Sequence, residues 1–214
     1  IVIYCETTSQ PSGWSSNWNY SNRPVYWGIN EKNFYEENGI QYVLNTETKE
    51  ATISRYVGND ANIVINETIA FNDKVYRITS ISAFCDCSNL ESIEIPSSVT
   101  SIGEQAFRGC SSLESIVIPF SVTSIDYDAF RGCSSLENVY YNGTIEDWCN
   151  IEFFDSSSNP MSHAKHFYMK DSNNEYYEVT EIEIPNTVTN IGSCQFYSCD
   201  HITSIVIPDS VTSI

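Results

Sequence analysis

The chain repeats itself at a fixed interval: Leu90, Leu113 and Leu136 are each 23 apart, and so are Cys87, Cys110 and Cys133. SNLESIEIPSSVTSI (88–102), SSLESIVIPFSVTSI (111–125) and SSLENVYYNGTI (134–145) are successive versions of one unit. A fixed period in the twenties specifies a solenoid, because one such unit cannot bury its apolar side alone and does so by stacking on its neighbours.

Within a unit the pattern predicts where the chain runs straight and where it turns. In Ile116-Val117-Ile118 the outer two side chains share one face and Val117 takes the other, which is strand periodicity. Pro119 follows and ends pairing, since it has no N–H to donate. Val122 and Ile125 bracket a second short extended run, and DYDAFRGC places Ala129 and Phe130 in one short helical turn closed by Gly132. The predicted fold is an α/β repeat solenoid, mainly β, with short parallel strands, one helical turn per coil, and hairpin and loop insertions.

The register runs beyond the clean copies. Ile182-Glu183-Ile184-Pro185 and Ile205-Val206-Ile207-Pro208 are again one period apart. Tyr141 and Ile184 are 43 apart, so the spacing assigns an insertion from Gly143 to about Ser162, packed back onto the solenoid edge by Trp148, Ile151 and Phe153. Ile63-Val64-Ile65 and Ile93-Glu94-Ile95 are 30 apart, more than one period, and the excess reads as a hairpin turning at Asn72-Asp73. Residues 39–56 alternate and turn likewise, as an earlier hairpin. Residues 9–30 set Trp14, Trp18, Tyr20, Tyr26 and Trp27 among Ser, Asn, Gly and Pro, the texture of a long loop pinned by aromatics. The whole (1–214) is expected to be one solenoid: partial coil, Trp-rich loop and hairpin (1–62), regular repeats (63–142), insertion (143–178) and regular repeats (179–214).

Composition bounds the partners. Twenty-eight acidic against ten basic residues give a formal net charge of −18. Nucleic acid and anionic membrane both need a positive surface, so neither is expected as a partner, and steering would favour basic partners. No apolar run approaches the length of a membrane span. The chain opens in a strand-like IVIY and stops at VTSI, partway through a repeat, as a piece of a longer array would. A cysteine recurring once per coil (Cys87, Cys110, Cys133, Cys199) reads as a small buried side chain in a ladder, in preference to a set of bridges. Cys5, Cys85, Cys149 and Cys194 fall off that position and stay open.

SIGEQAFRGCSSLESIVIPFSVTSI (101–125) closely resembles the BspA-type leucine-rich repeat, whose unit runs SIG…AF..C..L..I.IP..VT. The resemblance covers about 63–142 and 179–214, and it implies a right-handed leucine-rich-repeat solenoid. Members are typically secreted or surface-displayed proteins of host-associated bacteria and some mucosal protists, associated with adhesion. The resemblance therefore implies an extracellular, non-enzymatic binding role toward an extracellular or host protein, and it carries over no catalytic residue.

Strand side chains that point away from the core form columns about 4.8 Å apart. One predicted column is Glu94, Val117, Tyr140, Glu183 and Val206, and another is Glu91, Glu114 and Glu137. Carboxylates about 5 Å apart in water repel by only about 0.8 kcal/mol, so such a ladder needs no metal. These columns are the candidate ligand face, weighed against an ordinary solvated surface. Trp14, Trp18 and Trp27 are candidates for stacking on glycan rings, weighed against internal packing of their loop. That gives a glycan-binding module as one alternative function, and a structural spacer in a larger surface protein as another.

Chemistry finds little purchase. His163 and His166 have no convincing third ligand, and DSNNEYYE (171–178) lacks the spacing of a calcium loop and reads as a turn. GxSxG, HExxH, P-loop and GxGxxG motifs are absent. No catalytic residue, cofactor or metal is expected.

Overall fold

A computed structural model describes residues 3–5, 12, 25–27 and 33–214. Its strands are β1 (Ile3–Cys5), β2 (Val25–Trp27), β3 (Phe34–Glu37), β4 (Ile40–Asn45), β5 (Glu50–Tyr56), β6 (Asn62–Val64), β7 (Thr68–Phe71), β8 (Lys74–Ile81) and β9 (Ser92–Glu94). They continue as β10 (Ser101–Ile102), β11 (Ser115–Pro119), β12 (Ser124–Ile125), β13 (Asn138–Asn142), β14 (Glu152–Phe153), β15 (His166–Lys170), β16 (Tyr176–Glu178), β17 (Glu181–Glu183) and β18 (Ser204–Val206). The described residues also form an α-helix, α1 (Ile145–Cys149), and a 3-10 turn at Pro160–Ser162.

The repeat period appears as strands in vertical register. Ser92, Ser115 and Asn138 pair in turn, followed by Ile93, Ile116 and Val139, so β6, β9, β11, β13 and β15 form a parallel ladder on one side of the coil. Ser80, Ser101 and Ser124 pair likewise on a second side through β8, β10, β12 and β14. The third side is tied by backbone bonds between coils, with the N–H of Phe107 donating to Ala129 O at 2.8 Å and that of Gly109 to Arg131 O at 2.8 Å.

Inside the coils, like sits on like. Leu90, Leu113 and Leu136 are all fully buried, and Phe84, Phe107 and Phe130 stack with ring centroids 5.6 and 5.3 Å apart. All the cysteines whose side chains are described are free thiols. Cys110 Sγ–H donates to Phe84 O at 3.0 Å and Cys133 Sγ–H to Phe107 O at 3.1 Å, so this column knits each coil to the one before it. Burial pushes the Cys133 thiol up to about 12, which keeps it protonated as that bond requires.

The predicted helical turn is instead a run of short turns. Ala106 N–H reaches Gly103 O, Arg108 N–H reaches Gln105 O and Cys110 N–H reaches Phe107 O, each closing a four-residue turn. Gln105 and Gly109 have φ of 57° and 72°, and Asp128 and Gly132 repeat them at 55° and 78°. A left-handed residue every fourth position prevents an α-helix from propagating. Gly109 suits its positive φ, and a Cβ there would also displace the Asp86 carboxylate.

Both hairpins form where alternation places them. β7 pairs antiparallel with β8 around Asn72 and Asp73, whose φ values of 49° and 57° suit a tight hairpin turn. β4 pairs antiparallel with β5, and a further hairpin joins β3 to β4 through Asn38 and Gly39.

Residues 143–165 differ from expectation. They do not leave the solenoid but form a complete, lengthened coil, which returns the chain so that His166 pairs with Asn138. Thr144 starts α1 with a capping box: its Oγ1 accepts from Asp147 N–H at 3.1 Å, and its own N–H donates to Asp147 Oδ2 at 2.8 Å. Trp148, Ile151 and Phe153 then point into the core, in place of the edge contact the spacing suggests. Within the 9–30 segment, β2 pairs parallel with β1, Cys5 opposite Trp27. Trp14 and Trp18 lie outside the described residues.

Candidate functional site

The outer surface of the β6–β16 sheet is the candidate site. Pairing sets Val64, Glu94, Val117, Tyr140 and Tyr168 side by side in one outward column, with Glu178 opposite Tyr168 on β16. At the entry to the same strands, Glu114 N–H donates to Glu91 O at 2.8 Å and Glu137 N–H to Glu114 O at 3.0 Å, which fixes the predicted acidic column. Lys165 continues it: its N–H donates to Glu137 O at 2.9 Å, and its Nζ bonds Glu137 Oε1 at 2.6 Å. That hydrogen bond and positive charge hold the Glu137 carboxyl below the usual carboxylate range. Glu91 and Glu114 are exposed carboxylates with no ion pair of their own among the described residues.

Glu183 and Val206 do not join the column with Tyr140. They pair with each other across β17 and β18, in a separate two-stranded sheet. The β15–β16 hairpin is the physical reason. It adds an antiparallel strand beside β15 and ends the parallel ladder there.

Two tyrosines that residue spacing did not point to, Tyr168 and Tyr176, join the predicted Tyr140 in an aromatic cluster that crowns the face. Tyr140 stacks on Tyr168 with centroids 4.9 Å apart, and Tyr176 of β16 meets Tyr140 edge-on at 4.9 Å. Tyr176 O–H donates to Asn142 Oδ1 at 2.6 Å, and Lys170 Nζ sits 5.1 Å from the Tyr176 ring centre. The hairpin turns on Asp171, whose Oδ1 accepts from the N–H groups of Asn173 and Glu175 at 2.8 and 3.0 Å, a turn in place of a calcium loop. Between the hairpin tip and the strand ends lies a groove of 410 Å³ lined by Val64, Glu67, Glu94, Phe120, Lys170 and Asn174 among others. Val64 and Phe120 are 72% and 58% exposed there, apolar surface that folding leaves in water.

The alternating HFYMK (166–170) was the available signal for Tyr168: Phe167 and Met169 face the core while His166, Tyr168 and Lys170 face out. Among the described residues, no group of three or more His, Cys, Asp or Glu is placed to hold a metal. Nor is any described helix long and apolar enough to cross a membrane.

One histidine near the β15–β16 hairpin, His201, makes the stability of the fold sensitive to acid. His166 Nδ1 lies 2.6 Å from Glu178 Oε1 across the hairpin. His201, with both ring nitrogens buried and unpartnered, has its pKa drawn below the usual histidine range by burial. Glu178 and Asp200 push that pKa back up, and His166 lowers it further. The folded state therefore binds the His201 proton less readily than the unfolded chain does. This contribution to stability is present at neutral pH and is lost as pH falls below about 6.5. Melts of the wild type and His201→Phe between neutral pH and pH values below that point are expected to show the smaller acid loss in the variant. Equal losses would remove His201 from the account.

Comparison with known proteins agrees with this architecture. The model of the BspA type Leucine rich repeat region matches six copies, over residues 52–161 and 168–214. A leucine-rich repeat protein from Bacteroides ovatus superposes with TM-score 0.56 at 27% identity, covering 83% of this chain and 42% of that protein. The chain thus spans less than half the length of that relative. Two others share the fold at 22% identity. The T. pallidum leucine-rich repeat protein has TM-score 0.52, covering 84% of each chain. A protein from Bacteroides capillosus has TM-score 0.53, covering 65% of this chain and 99% of that one. No curated protein is similar enough to count as a match. With most of its length matched by that repeat model and its coils stacked as the repeat requires, the chain belongs to the BspA-type leucine-rich repeat family.

Proposed function

We propose that this chain is a non-enzymatic binding domain of a secreted or cell-surface protein, and that its outward strand face holds an extracellular protein partner bearing basic residues. One observation carries the reading: aromatic, apolar and acidic side chains that the core does not use are gathered on a single sheet face. Glu91, Glu94, Glu114 and Glu137 supply charge, while Val64, Val117, Tyr140 and Tyr168 supply contact area. Rigid tyrosines with little rotamer entropy to lose are effective anchors in an interface. Glu183 and Val206 belong to a second, smaller face on the same reading.

Screening an array of extracellular host proteins would supply the partner. With it in hand, Glu91→Lys combined with Glu114→Lys is expected to weaken binding at least about tenfold, mainly by slowing association. Both residues are exposed, so the melting temperature should hardly move. Unchanged affinity in this double variant would remove the face as the binding site.

A further inference from the structure

The second side of the coil contains a missing rung. From one coil to the next, Thr123 N–H donates to Thr100 O at 2.9 Å, Asp126 N–H to Ile102 O at 2.9 Å, Glu152 N–H to Thr123 O at 2.9 Å, and Phe154 N–H to Ile125 O at 3.2 Å. The same pattern resumes further on, where Thr212 N–H donates to Thr189 O at 2.9 Å and Asn190 pairs with Ser213. Between these two ladders it stops. The carbonyls of Ile151 and Phe153 stand where Thr123 O and Ile125 O stand one coil earlier, yet receive no bond from Thr189 or Gly192. β14 ends its sheet.

A groove of 510 Å³ separates the two walls, with Asn150 to Phe153 on one side and Thr187 to Asn190 on the other. The hairpin explains the gap, because β16 adds a strand on the first side for which the second side has no counterpart. Gln195 lines the groove with an unpartnered, fully buried Oε1, although its Nε2 is bound to Trp148 O. An acceptor left so is costly, and it marks this joint as imperfectly satisfied.

We infer that this slot accepts an extended segment of a partner protein as one parallel strand. Its N–H groups would donate to the Ile151 and Phe153 carbonyls, and its own carbonyls would accept from Thr189 and Gly192. Strand addition of this kind draws affinity from the main chain and specificity from alternate side chains. The alternation is legible in the walls. Inward residues of the segment meet Cys149 and Val188, which favours small β-branched side chains. Outward residues meet Glu146 and Glu152, which favours Lys or Arg. The slot lies on a different side of the coil from the strand face of the proposed function and does not depend on it.

The blocked peptide Ac-KVKVKV-NH2 is a suitable probe, with a copy N-methylated at alternate amides as its control. The wild-type chain is expected to bind the first with a Kd below about 1 mM, and amide exchange at Thr189 and Gly192 should slow on binding. N-methylation should abolish binding. Glu146→Lys with Glu152→Lys should weaken it at least about tenfold, while Glu91→Lys with Glu114→Lys should leave exchange at Thr189 and Gly192 equally slowed. Thermal melts establish that both double variants are folded. The inference is overturned by no binding at about 1 mM, by equal binding of the methylated peptide, or by unaltered exchange at those two amides. Protection of the same amides by self-association of the free chain would assign the slot to a second copy and equally overturn it.

Discussion

Phe107→Ala is expected to cost this protein about 3–5 kcal/mol, a large share of the roughly 5–15 kcal/mol that holds a typical domain folded. Phe107 is fully buried as the middle ring of a three-ring stack, nearly parallel to Phe84 (1°) and to Phe130 (12°). Removing it leaves a void that neither neighbour can close, because each is fixed by its own coil. Stability in an array resides in contacts between adjacent repeats, so the damage should spread to the coils on either side. Urea titration gives the measurement, with Tyr127→Ala as the control. Tyr127 lies in the next coil, three residues before Phe130, but is 53% exposed, and its loss should change stability by about 0.5 kcal/mol or less. A cost below about 1 kcal/mol for Phe107→Ala would mean the rings are not a stacked core.

Trp148→Ala should be comparably damaging, at about 3–5 kcal/mol, but with a different signature. Trp148 packs against Tyr141 at 5.1 Å, Phe153 at 5.4 Å and Phe167 at 4.7 Å. Its Nε1–H donates to Gln195 O at 3.2 Å. Asn159, from the same coil, donates to Cys194 O at 2.7 Å. Across this joint the regular backbone rungs are missing on the second side, so side chains do what main-chain bonds do elsewhere. Losing the indole is expected to uncouple residues 179–214 from the preceding coils, giving two thermal transitions and early proteolysis within that segment. A single transition shifted as a whole would show that the joint is held by something other than Trp148.

The periodic part of the fold was legible because a ladder forces equivalent positions to solve the same packing problem. Leu90, Leu113 and Leu136 announce a column by recurring unchanged, and Cys110 and Cys133 recur because each thiol bonds a carbonyl of the coil before it. The hairpins were legible through alternation and the turn residues Asn72 and Asp73. The coil at 143–165 was not, because it meets the same geometry with other residues. A capped helix replaces the usual turn, and His166-Phe167-Tyr168-Met169 fills the strand position without the Ile-Pro ending. The same substitution concealed Tyr168 and Tyr176. Counting periods then carried Glu183 and Val206 into a column that the β15–β16 hairpin interrupts. Glu91, Glu114 and Glu137 share one position of the repeat and so line up, but the closure of their column by Lys165 depends on a neighbour far from Glu137 in sequence.

The most direct test of the stacked-coil architecture uses protein protonated only on phenylalanine rings in a deuterated background. Through-space magnetisation transfer should connect Phe84 with Phe107 and Phe107 with Phe130, as their centroid separations of 5.6 and 5.3 Å require, and should not connect Phe84 directly with Phe130. Absence of both neighbouring cross-peaks, or a strong one between the two outer rings, would contradict the vertical register on which the fold and both proposed surfaces depend.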